Sequence, residues 1–361
     1  MRYNEFKILT EAKVGREYQH LEDLVFVKGS SGAIEAADTL DKLGSDSSDV
    51  AIKWDGYPTM YWGREPNGAF VLVGKNGWGR NKSTSANNLQ KFINSTGKGE
   101  DWRQRFAGEM AAIFDVMKSA TDPNFRGYIY GDILYHPGKP VKSTEEGLQF
   151  TPNQVTYTVD PNSRLGKRVD ETDVGVVVHT RYENFGDNSG QPISDTNDLN
   201  NNQALVLGQT YVAHQPKVDT KNSASIRNTA QKNAKVIDGF LAPVQGLSDM
   251  KNIIYTYVNQ MSRGRKLDGL ENGFFDWLGN SKVSANKQKK IAEMAKQNPK
   301  ALPAIFSLVK QIMASKDDII QQLDDAPADV KQSTGGEKGG EGYVALGSKT
   351  KLVPRTRWQP S

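Results

Sequence analysis

The feature that most constrains the fold is a short apolar run that ends in a tight polar turn. Val50-Ala51-Ile52 leads directly into Lys53-Trp54-Asp55-Gly56, and a second strand-like run follows at Thr59-Met60-Tyr61-Trp62. This order predicts a strand, an Asp-Gly turn and another strand. A lysine fixed at a strand end is well placed to act as a nucleophile, and the glycine allows a ligand to approach the backbone closely.

The same Lys-x-Asp-Gly pattern occurs again at Lys266-Leu267-Asp268-Gly269, but in a different setting. Upstream of it, apolar residues recur with the i, i+3, i+4, i+7 spacing of an amphipathic helix. They are Met250, Ile253, Ile254, Tyr257, Val258 and Met261. The second copy therefore predicts a helix end followed by a glycine stop, and only the first copy has a strand context.

Composition excludes several classes of protein. The 361 residues are enough for one large core, or for a core with an inserted subdomain. The chain has no cysteine, which excludes disulfides, cysteine–zinc sites and thiol catalysis, and its four histidines argue against a multi-histidine metal site. The net charge of +4 permits nucleic-acid binding without arguing for it.

The sequence also bears on the compartment. No apolar run approaches the ~20 residues that a membrane helix needs, and the start of the chain, residues 1–7, lacks the apolar centre of a signal peptide. We therefore expect no membrane partner. The absence of cysteine fits a reducing cytoplasm, which is the expected location.

The region from Val50 to Ala213 is mostly strand-like, with turns rich in Gly, Asn, Asp and Pro between the strands. The predicted strands are Val50–Lys53, Thr59–Trp62, Ala69–Val73, Gly127–Leu134, Gln154–Thr158, Val174–His179 and Ala204–Ala213. One helix, Trp102–Ala120, is expected among them. His179 is interpreted as a polar residue at a strand end.

From Ser223 to Ala326 the periodicity changes to helical, with Pro303 expected at the first position of a long helix. Lys331–Gly340 is interpreted as a glycine-rich linker before a return to strand. We expect four segments: an N-terminal helical and connecting segment (1–48), a strand-rich core (49–222), an inserted helical subdomain (223–330) and C-terminal strands that complete the core (335–361).

Several further segments follow the first Lys-x-Asp-Gly copy in a fixed order. With that copy, the set resembles the covalent nucleotidyltransferase superfamily of ATP-dependent DNA and RNA ligases and mRNA capping enzymes. The segments are Gly74-Lys75-Asn76-Gly77, the strand Tyr128–Leu134 with Asp132, the strand Val174–His179, Glu341-Gly342-Tyr343-Val344-Ala345 and Lys349-Thr350-Lys351.

The spacing of the last two segments is closer to RNA ligases than to most DNA ligases. Longer runs resemble RNA-ligase-like proteins of tailed phages, which would place the protein in the host cytoplasm. These runs are His20-Leu21-Glu22-Asp23, Lys53–Arg64 and Phe150-Thr151-Pro152-Asn153. The resemblance implies an α+β fold: an ATP-grasp-like nucleotidyltransferase core of antiparallel sheets with flanking helices, plus the inserted helical subdomain.

The resemblance also implies a chemistry, in which Lys53 attacks the α-phosphorus of ATP and forms lysyl-AMP. It assigns catalytic roles to Lys53, Asp55, Lys349 and Lys351, and metal binding of Mg²⁺ or Mn²⁺ to Glu341 and Asp132. It implies nucleic acid ends as the acceptor, RNA before DNA. The expected ATP contacts are Ile52, Lys53, Gly56, Arg64, Lys75, Asp132, Val178, Glu341, Lys349 and Lys351.

The pattern departs from the family in several ways, which leave two other functions open. Aspartate replaces the more common glutamate at Asp132, Tyr57-Pro58 follows Gly56, and the helical subdomain interrupts the motif order. The residues after Lys351 are too few for the OB-fold of DNA ligases and capping enzymes. The alternatives are a nucleotidyltransferase with another acceptor, and a non-catalytic phage structural or interaction protein on a ligase-like fold.

Overall fold

The computed structural model describes residues 19–96, 100–193, 195–199, 201–264 and 266–357. The chain divides into two compact units. The helical unit comprises Met1–Ile52, Tyr211–Ala326 and Gly342–Ser361, and the sheet unit comprises Lys53–Thr210 and Pro327–Glu341. The expectation for residues 1–7 lies outside the described residues.

Strands and helices alternate in blocks along the chain. The strands are β1 (Gln19–His20), β2 (Val50–Ile52), β3 (Thr59–Arg64), β4 (Phe70–Gly74), β5 (Gly127–Tyr135), β6 (Lys142–Thr144), β7 (Gly147–Phe150), β8 (Val155–Val159), β9 (Val174–Tyr182), β10 (Gln191–Pro192), β11 (Ala204–Leu207), β12 (Val330–Thr334), β13 (Glu337–Lys338), β14 (Tyr343–Ala345) and β15 (Thr350–Leu352). The helices are α1 (Leu24–Lys28), α2 (Ser30–Ser45), α3 (Ala86–Ser95), α4 (Asp101–Ala120), α5 (Arg164–Glu171), α6 (Thr220–Leu241), α7 (Met250–Arg263), α8 (Leu270–Gly279), α9 (Ala285–Gln297) and α10 (Ala301–Asp325).

The helical unit combines a helix bundle with a small sheet. Helix α6 packs against both α2 and α10. The long helix α10 buries an apolar stripe with helical spacing, which includes Ile305, Val309, Ile312 and Leu323. The sheet has the order β1-β15-β14-β2, and β2 and β15 both pair antiparallel with β14.

Four buried charges connect distant segments of the helical unit. Both carboxylate oxygens of Glu22 accept hydrogen bonds from Lys316 Nζ, at 2.8 and 2.9 Å. The guanidinium of Arg355 contacts Glu22 at 3.2 Å and Asp23 at 2.5 Å. We call Glu22, Asp23, Lys316 and Arg355 the buried ion cluster, since none of the four side chains is more than 5% exposed.

The buried ion cluster changes the proton affinities of its carboxylates in opposite directions. Burial raises the pKa of Asp23 to about 6. Although burial also opposes the charge of Glu22, the neighbouring Lys316 and Arg355 lower the pKa of that carboxyl. Next to the cluster, burial raises the pKa of Asp317 to about 6.

The sheet unit contains two sheets. One has the order β10-β9-β5-β3-β4, with β11 pairing parallel to β9. The other is antiparallel, with the order β13-β12-β8-β7-β6. The sheet unit is therefore strand-rich, and both units together give a mixed α+β protein with antiparallel sheets.

The two faces of the larger sheet differ. On one face, Met60, Ile129 and Val176 join the apolar side chains of α3 and α4 in a buried core. On the other face, Tyr61 and Tyr128 pack with a group of part-buried aromatic residues: Trp78, Tyr130, Tyr182 and Phe185. Because side chains alternate along a strand, Asp132 of β5 shares the face of Tyr128 and Tyr130.

Most predicted elements are confirmed, but several are wrong in part, and the region expected to hold one helix also contains α3 and α5. Residues Lys331–Gly340 are not a linker, since β12 and β13 form a hairpin there, around Gly335 and Gly336 at positive φ. The strand expected over Ala204–Ala213 ends at Leu207. Pro303 is the third residue of α10, where its missing N–H is still not needed by the helix.

The expected helix before the second Lys-x-Asp-Gly copy is present as α7, but the copy does not stop a helix. Leu267–Gly269 forms a 3₁₀ turn that leads into α8. The expected division of the chain also differs, since the strands β14 and β15 belong to the helical unit. Across the described residues, no helix combines the length and apolarity that a membrane crossing requires.

Removing one cation from the buried ion cluster should be costly. Lys316→Met leaves Glu22 buried with an incomplete set of partners, so we expect the free energy of unfolding to fall by about 3–5 kcal/mol. Lys310→Met is the matched control on the same helix, because the Lys310–Glu271 pair is about one-third exposed and such pairs contribute about 1 kcal/mol or less. Urea unfolding measures both, and equal losses would contradict the assignment.

Asp317 should make stability depend on pH. Its folded pKa of about 6 lies above the ordinary 3.8, so the folded state binds the proton more tightly, and stability falls as pH rises through 6. Asp317→Asn has no buried carboxyl to ionise. We therefore expect the free energy of unfolding of this variant, relative to that of wild type, to rise by about 1–2 kcal/mol between pH 5 and pH 7.5. Asp318→Asn, at an exposed neighbour, is the control in the same urea titrations.

Candidate functional site

Residues 53–58, here called the Lys53 loop, connect β2 to β3. The Nζ of Lys53 forms an ion pair with the carboxylate of Glu341. The side chains of Lys53 and Glu341 are 27% and 25% exposed. The predicted nucleophile and the predicted metal ligand, 288 positions apart in the sequence (341 minus 53), therefore meet in the sheet unit and remain accessible to solvent.

The Lys53 loop lies directly on β5, beside Asp132. The amide of Tyr57 donates to the carbonyl of Ile133 at 2.8 Å. A Cβ atom on Gly56 would lie 2.5 Å from the Cβ of Asp132 and 2.9 Å from the carbonyl oxygen of Ile133. Glycine is therefore required at position 56 for this close approach.

Asp55, for which the resemblance implies a catalytic role, holds the backbone of the loop. Its carboxylate accepts hydrogen bonds from Asn153 Nδ2 at 3.2 Å and from the amide of Gln154 at 3.4 Å. Its own amide donates to the hydroxyl of Tyr157 at 2.5 Å. Because both carboxylate oxygens are used in this way, Asp55 acts on the shape of the loop.

Trp54 anchors the loop by packing. Its indole is 6% exposed and lies 4.6 Å from the ring of Tyr157 and 6.4 Å from that of Phe150, centroid to centroid. Its Nε1 donates to the hydroxyl of Thr210 at 3.1 Å. The side chain next to Lys53 is therefore fixed in a small aromatic core.

Asp132 is paired with His179. Its Oδ2 lies 3.0 Å from His179 Nε2, and its Oδ1 is buried with no hydrogen-bond partner in the described structure. The pairing of β5 with β9 shifts between Tyr130 and Gly131, which makes His179 an extra residue in its strand. This bulge lets the imidazole reach Asp132.

Val178 does not lie where the resemblance implies. It is 1% exposed and packs in the helix-covered core, on the face of the sheet opposite to Asp132. Val177, which pairs with Asp132 across the strands, has the other orientation. The expectation that Val178 contacts ATP is therefore wrong.

Arg64 is occupied by the backbone. Its guanidinium and Nε donate to four carbonyl oxygens, those of Gly68, Lys118, Thr121 and Asp122, at 2.9–3.1 Å. These contacts fasten the end of α4 to β3. The predicted contact of Arg64 with ribose or phosphate is therefore wrong, because the backbone uses its hydrogen-bond donors.

The other predicted residues are divided between the units. Lys75 is exposed in the turn after β4, at the end of the sheet where Thr59 pairs with Asp132. In the helical unit, Ile52 is buried opposite Tyr343, Lys349 is exposed at a φ of 50°, and Lys351 lies in β15 between His20 and Val344. The roles predicted for Lys349 and Lys351 stay predictions.

The acidic residues of the sheet unit fit a magnesium ion that is shared with a nucleotide. Among the described residues, no three His, Cys, Asp or Glu side chains form a metal-binding group. Magnesium in nucleotide sites is held by one or two carboxylates together with phosphate oxygens and water. The carboxylate of Glu341, on a part-exposed side chain, and the unpartnered Oδ1 of Asp132 are donors of this type.

Sequence reasoning missed three contacts of the site. Asn153, Tyr157 and His179 all contact Asp55 or Asp132, yet their partners lie 47 to 102 positions away. The run Phe150-Thr151-Pro152-Asn153 is marked only by its resemblance to phage proteins. Nothing in the local pattern of β8 marks Tyr157 as more than a strand residue.

Filling the space above Gly56 should disturb the loop. In Gly56→Ala, the added methyl must push the loop away from Asp132, so we expect a loss of about 1–3 kcal/mol in the free energy of unfolding. Gly108→Ala is the control, since no atom lies within 4 Å of its Cβ position and alanine favours the helix. Urea unfolding that shows no loss for Gly56→Ala would contradict this packing.

Comparison with known proteins gives a family and no named relative. No curated protein and no solved structure matches the chain. One family matches residues 17–359, which include both units and all the residues of the candidate site. The chain belongs to this family, which is described as "Family of unknown function (DUF6267)".

Proposed function

We propose that this protein is an ATP-dependent nucleotidyltransferase of the polynucleotide-ligase type, which forms lysyl-AMP at Lys53. The observation that carries the proposal is that Lys53 forms an ion pair with Glu341, while the loop that carries Lys53 packs against Asp132. The resemblance of the ordered motifs assigns the nucleophile, a metal ligand and a ribose or metal contact to these three residues. Their proximity supports a common site.

In the proposed first step, the Lys53 amine attacks the α-phosphorus of ATP. The new bond joins Nζ to phosphorus, the bond from phosphorus to the bridging oxygen breaks, and pyrophosphate leaves. The amine must be neutral to attack, so Lys53 Nζ first loses one proton to solvent, and it loses a second proton to solvent as the phosphoramidate forms. The carboxylate of Glu341 lies against this nitrogen and holds it in place.

In this step, cations near the phosphates neutralise the negative charge of the nucleotide. When bound, Mg²⁺ supplies Lewis-acid stabilisation of the charge that moves to the leaving pyrophosphate. Glu341 and Asp132 are the residues that would hold it. A carboxylate that binds a dication attracts the Lys53 ammonium less, which favours the neutral amine.

Asp132 is suited to orient the nucleotide. Because His179 engages Oδ2, the carboxylate has a fixed direction, and Oδ1 remains for either a hydroxyl of the ribose or the metal. Tyr130, on the same face of β5, lies 5.7 Å from the imidazole, centroid to centroid. The ligand would therefore approach the aromatic face of the sheet.

The proposed acceptor is a nucleic acid end, RNA before DNA. In the second step, AMP would pass from Lys53 to a 5′-phosphate, and in the third a 3′-hydroxyl would attack that phosphate and release AMP. The spacing of Glu341-Gly342-Tyr343-Val344-Ala345 and Lys349-Thr350-Lys351 supports this choice through its resemblance to RNA ligases.

Intact mass tests the first step. After incubation with ATP and Mg²⁺ or Mn²⁺, we expect wild type to gain one AMP, about 329 Da, as a phosphoramidate. Lys53→Ala should gain nothing. Lys266→Ala is the matched control, because it removes the lysine of the second Lys-x-Asp-Gly copy and should leave the gain intact.

The same measurement separates the alternatives. No gain in wild type that still binds ATP would overturn the proposal and favour a non-catalytic structural protein. A gain that is discharged by neither 5′-phosphorylated RNA nor nicked DNA would leave a nucleotidyltransferase with another acceptor. Discharge by RNA ends, with release of sealed product, is the expected result.

A further inference from the structure

We infer that Tyr157 and Gln332 form a positioning pair that sets the separation of Lys53 and Glu341. This inference rests on the proposed function. Neither residue lies in a segment that resembles a ligase motif. They stand directly opposite each other on β8 and β12, the two adjacent strands of the smaller sheet. Each contacts one of the two segments that meet at the ion pair.

Tyr157 holds the Lys53 side. Its side chain is fully buried, its hydroxyl accepts the amide hydrogen of Asp55 at 2.5 Å, and its ring packs against Trp54. Asn153 and Gln154, which precede β8, bind the carboxylate of the same Asp55. The residue two positions after Lys53 is therefore fixed at three points by one stretch of chain.

Gln332 holds the Glu341 side. Its carbonyl accepts the amide hydrogen of Gly339 at 2.7 Å. Its side-chain amide occupies the position that a Cβ on Gly340 would take, so Gly340 lies directly on it. Thr334, two residues further along β12, donates from its hydroxyl to the carbonyl of Gly339 at 2.9 Å. Glu341 follows immediately.

The ladder between the two strands connects these contacts. Val330–Thr334 pairs with Val155–Val159 over its full length, and Gln332 and Tyr157 are its central pair. Residues directly opposite in an antiparallel ladder have Cβ atoms about 5 Å apart. The distance between the Lys53 loop and the segment before Glu341 is therefore set by a hydrogen-bonded ladder.

Such a device matters for the proposed reaction, because a misplacement of about 1 Å can reduce a rate by about a hundredfold. Tyr157 and Gln332 do not touch the reacting atoms. They act through Asp55 and through Gly339-Gly340, so they are positioning residues. Their loss should slow lysyl-AMP formation and leave the affinity for ATP nearly unchanged.

The first test is single-turnover formation of lysyl-AMP, followed by quenched intact mass over a range of ATP concentrations. Tyr157→Phe keeps the ring and removes the acceptor of the Asp55 amide, and Gln332→Ala removes the support of Gly340. We expect each to lower the rate at saturating ATP about tenfold, with the KM for ATP changed less than about twofold.

Tyr135→Phe is the matched control. Tyr135 is an equally buried phenol of the sheet unit, its hydroxyl bonds to Thr172 at 2.7 Å, and its ring also contacts Phe150. It should form lysyl-AMP at the wild-type rate. If Tyr135→Phe and Tyr157→Phe slow the reaction equally, Tyr157 has only a general packing role and the inference is overturned.

The second test does not depend on ATP. Lys53 is acylated with a water-soluble amine reagent, and its peptide is quantified by mass spectrometry, with the exposed Lys75 as internal reference. A displaced loop weakens this part-exposed ion pair, so its Lys53 should be labelled about threefold faster. We expect this for Tyr157→Phe and Gln332→Ala, and not for Tyr135→Phe.

The two tests separate the inference from the function on which it rests. If wild type forms no lysyl-AMP, the proposed function fails, and the labelling of Lys53 alone decides whether the pair positions it. If wild type forms lysyl-AMP and both Tyr157→Phe and Gln332→Ala match it in rate and labelling, the function stands and the positioning pair is rejected.

Discussion

The helical unit depends on four charges that are removed from water together. Taking each ion of the buried ion cluster out of water costs several kcal/mol, and only a complete set of partners offsets that cost. Glu22 and Lys316 are 294 positions apart, and Asp23 and Arg355 are 332 positions apart. Any packing that separates these segments leaves a charge uncompensated, so the cluster selects one arrangement of the beginning, the long helix and the end of the described chain.

The buried ion cluster also constrains the small sheet of the helical unit. Strand β1 ends two residues before Glu22, and β15 ends three residues before Arg355, so the cluster lies close in sequence to both paired strands. Through β14, the same sheet holds β2, and Ile52 at its end is followed by Lys53. In the sheet unit, the ladder between β8 and β12 supports the Lys53 loop and the segment before Glu341. Backbone ladders therefore hold the two segments that carry Lys53 and Glu341.

Local pattern predicts most of the longer strands and the helices α4, α7 and α10, because alternation and the 3.6-residue period reflect which face is buried. It failed where a long-range partner decides. The glycines after Thr334 are typical of a linker, yet they form the turn of a hairpin whose first strand, β12, pairs with β8. Val178 faces the core because the register of β9 on β5 orients it that way, and a bulge there gives His179 to Asp132. Arg64 meets the end of α4 only in the folded chain.

The candidate site shows the same division. Lys53, Asp132 and Glu341 each lie in one of the ordered segments that resemble ligase motifs, whereas Tyr157 and Gln332 lie in none of them. Their contribution exists only once β8 and β12 are paired, since each touches the residues that flank the site and not the site itself. A residue that acts through another residue's backbone has no signature in its own sequence neighbourhood.

The energetics of the Lys53–Glu341 pair bear on whether it serves stability or chemistry. An ion pair with both partners about one-quarter exposed contributes about 1 kcal/mol or less, because water competes for each charge. Around it, the fold has three hydrogen bonds to Asp55, a buried tryptophan and a glycine that alone fits against β5. These contacts around the loop are more than a weak, part-exposed ion pair needs for its own stability. They suit a lysine that must remain accessible and yet be held at a fixed distance from a carboxylate, which is what the proposed nucleophile and the proposed metal ligand require.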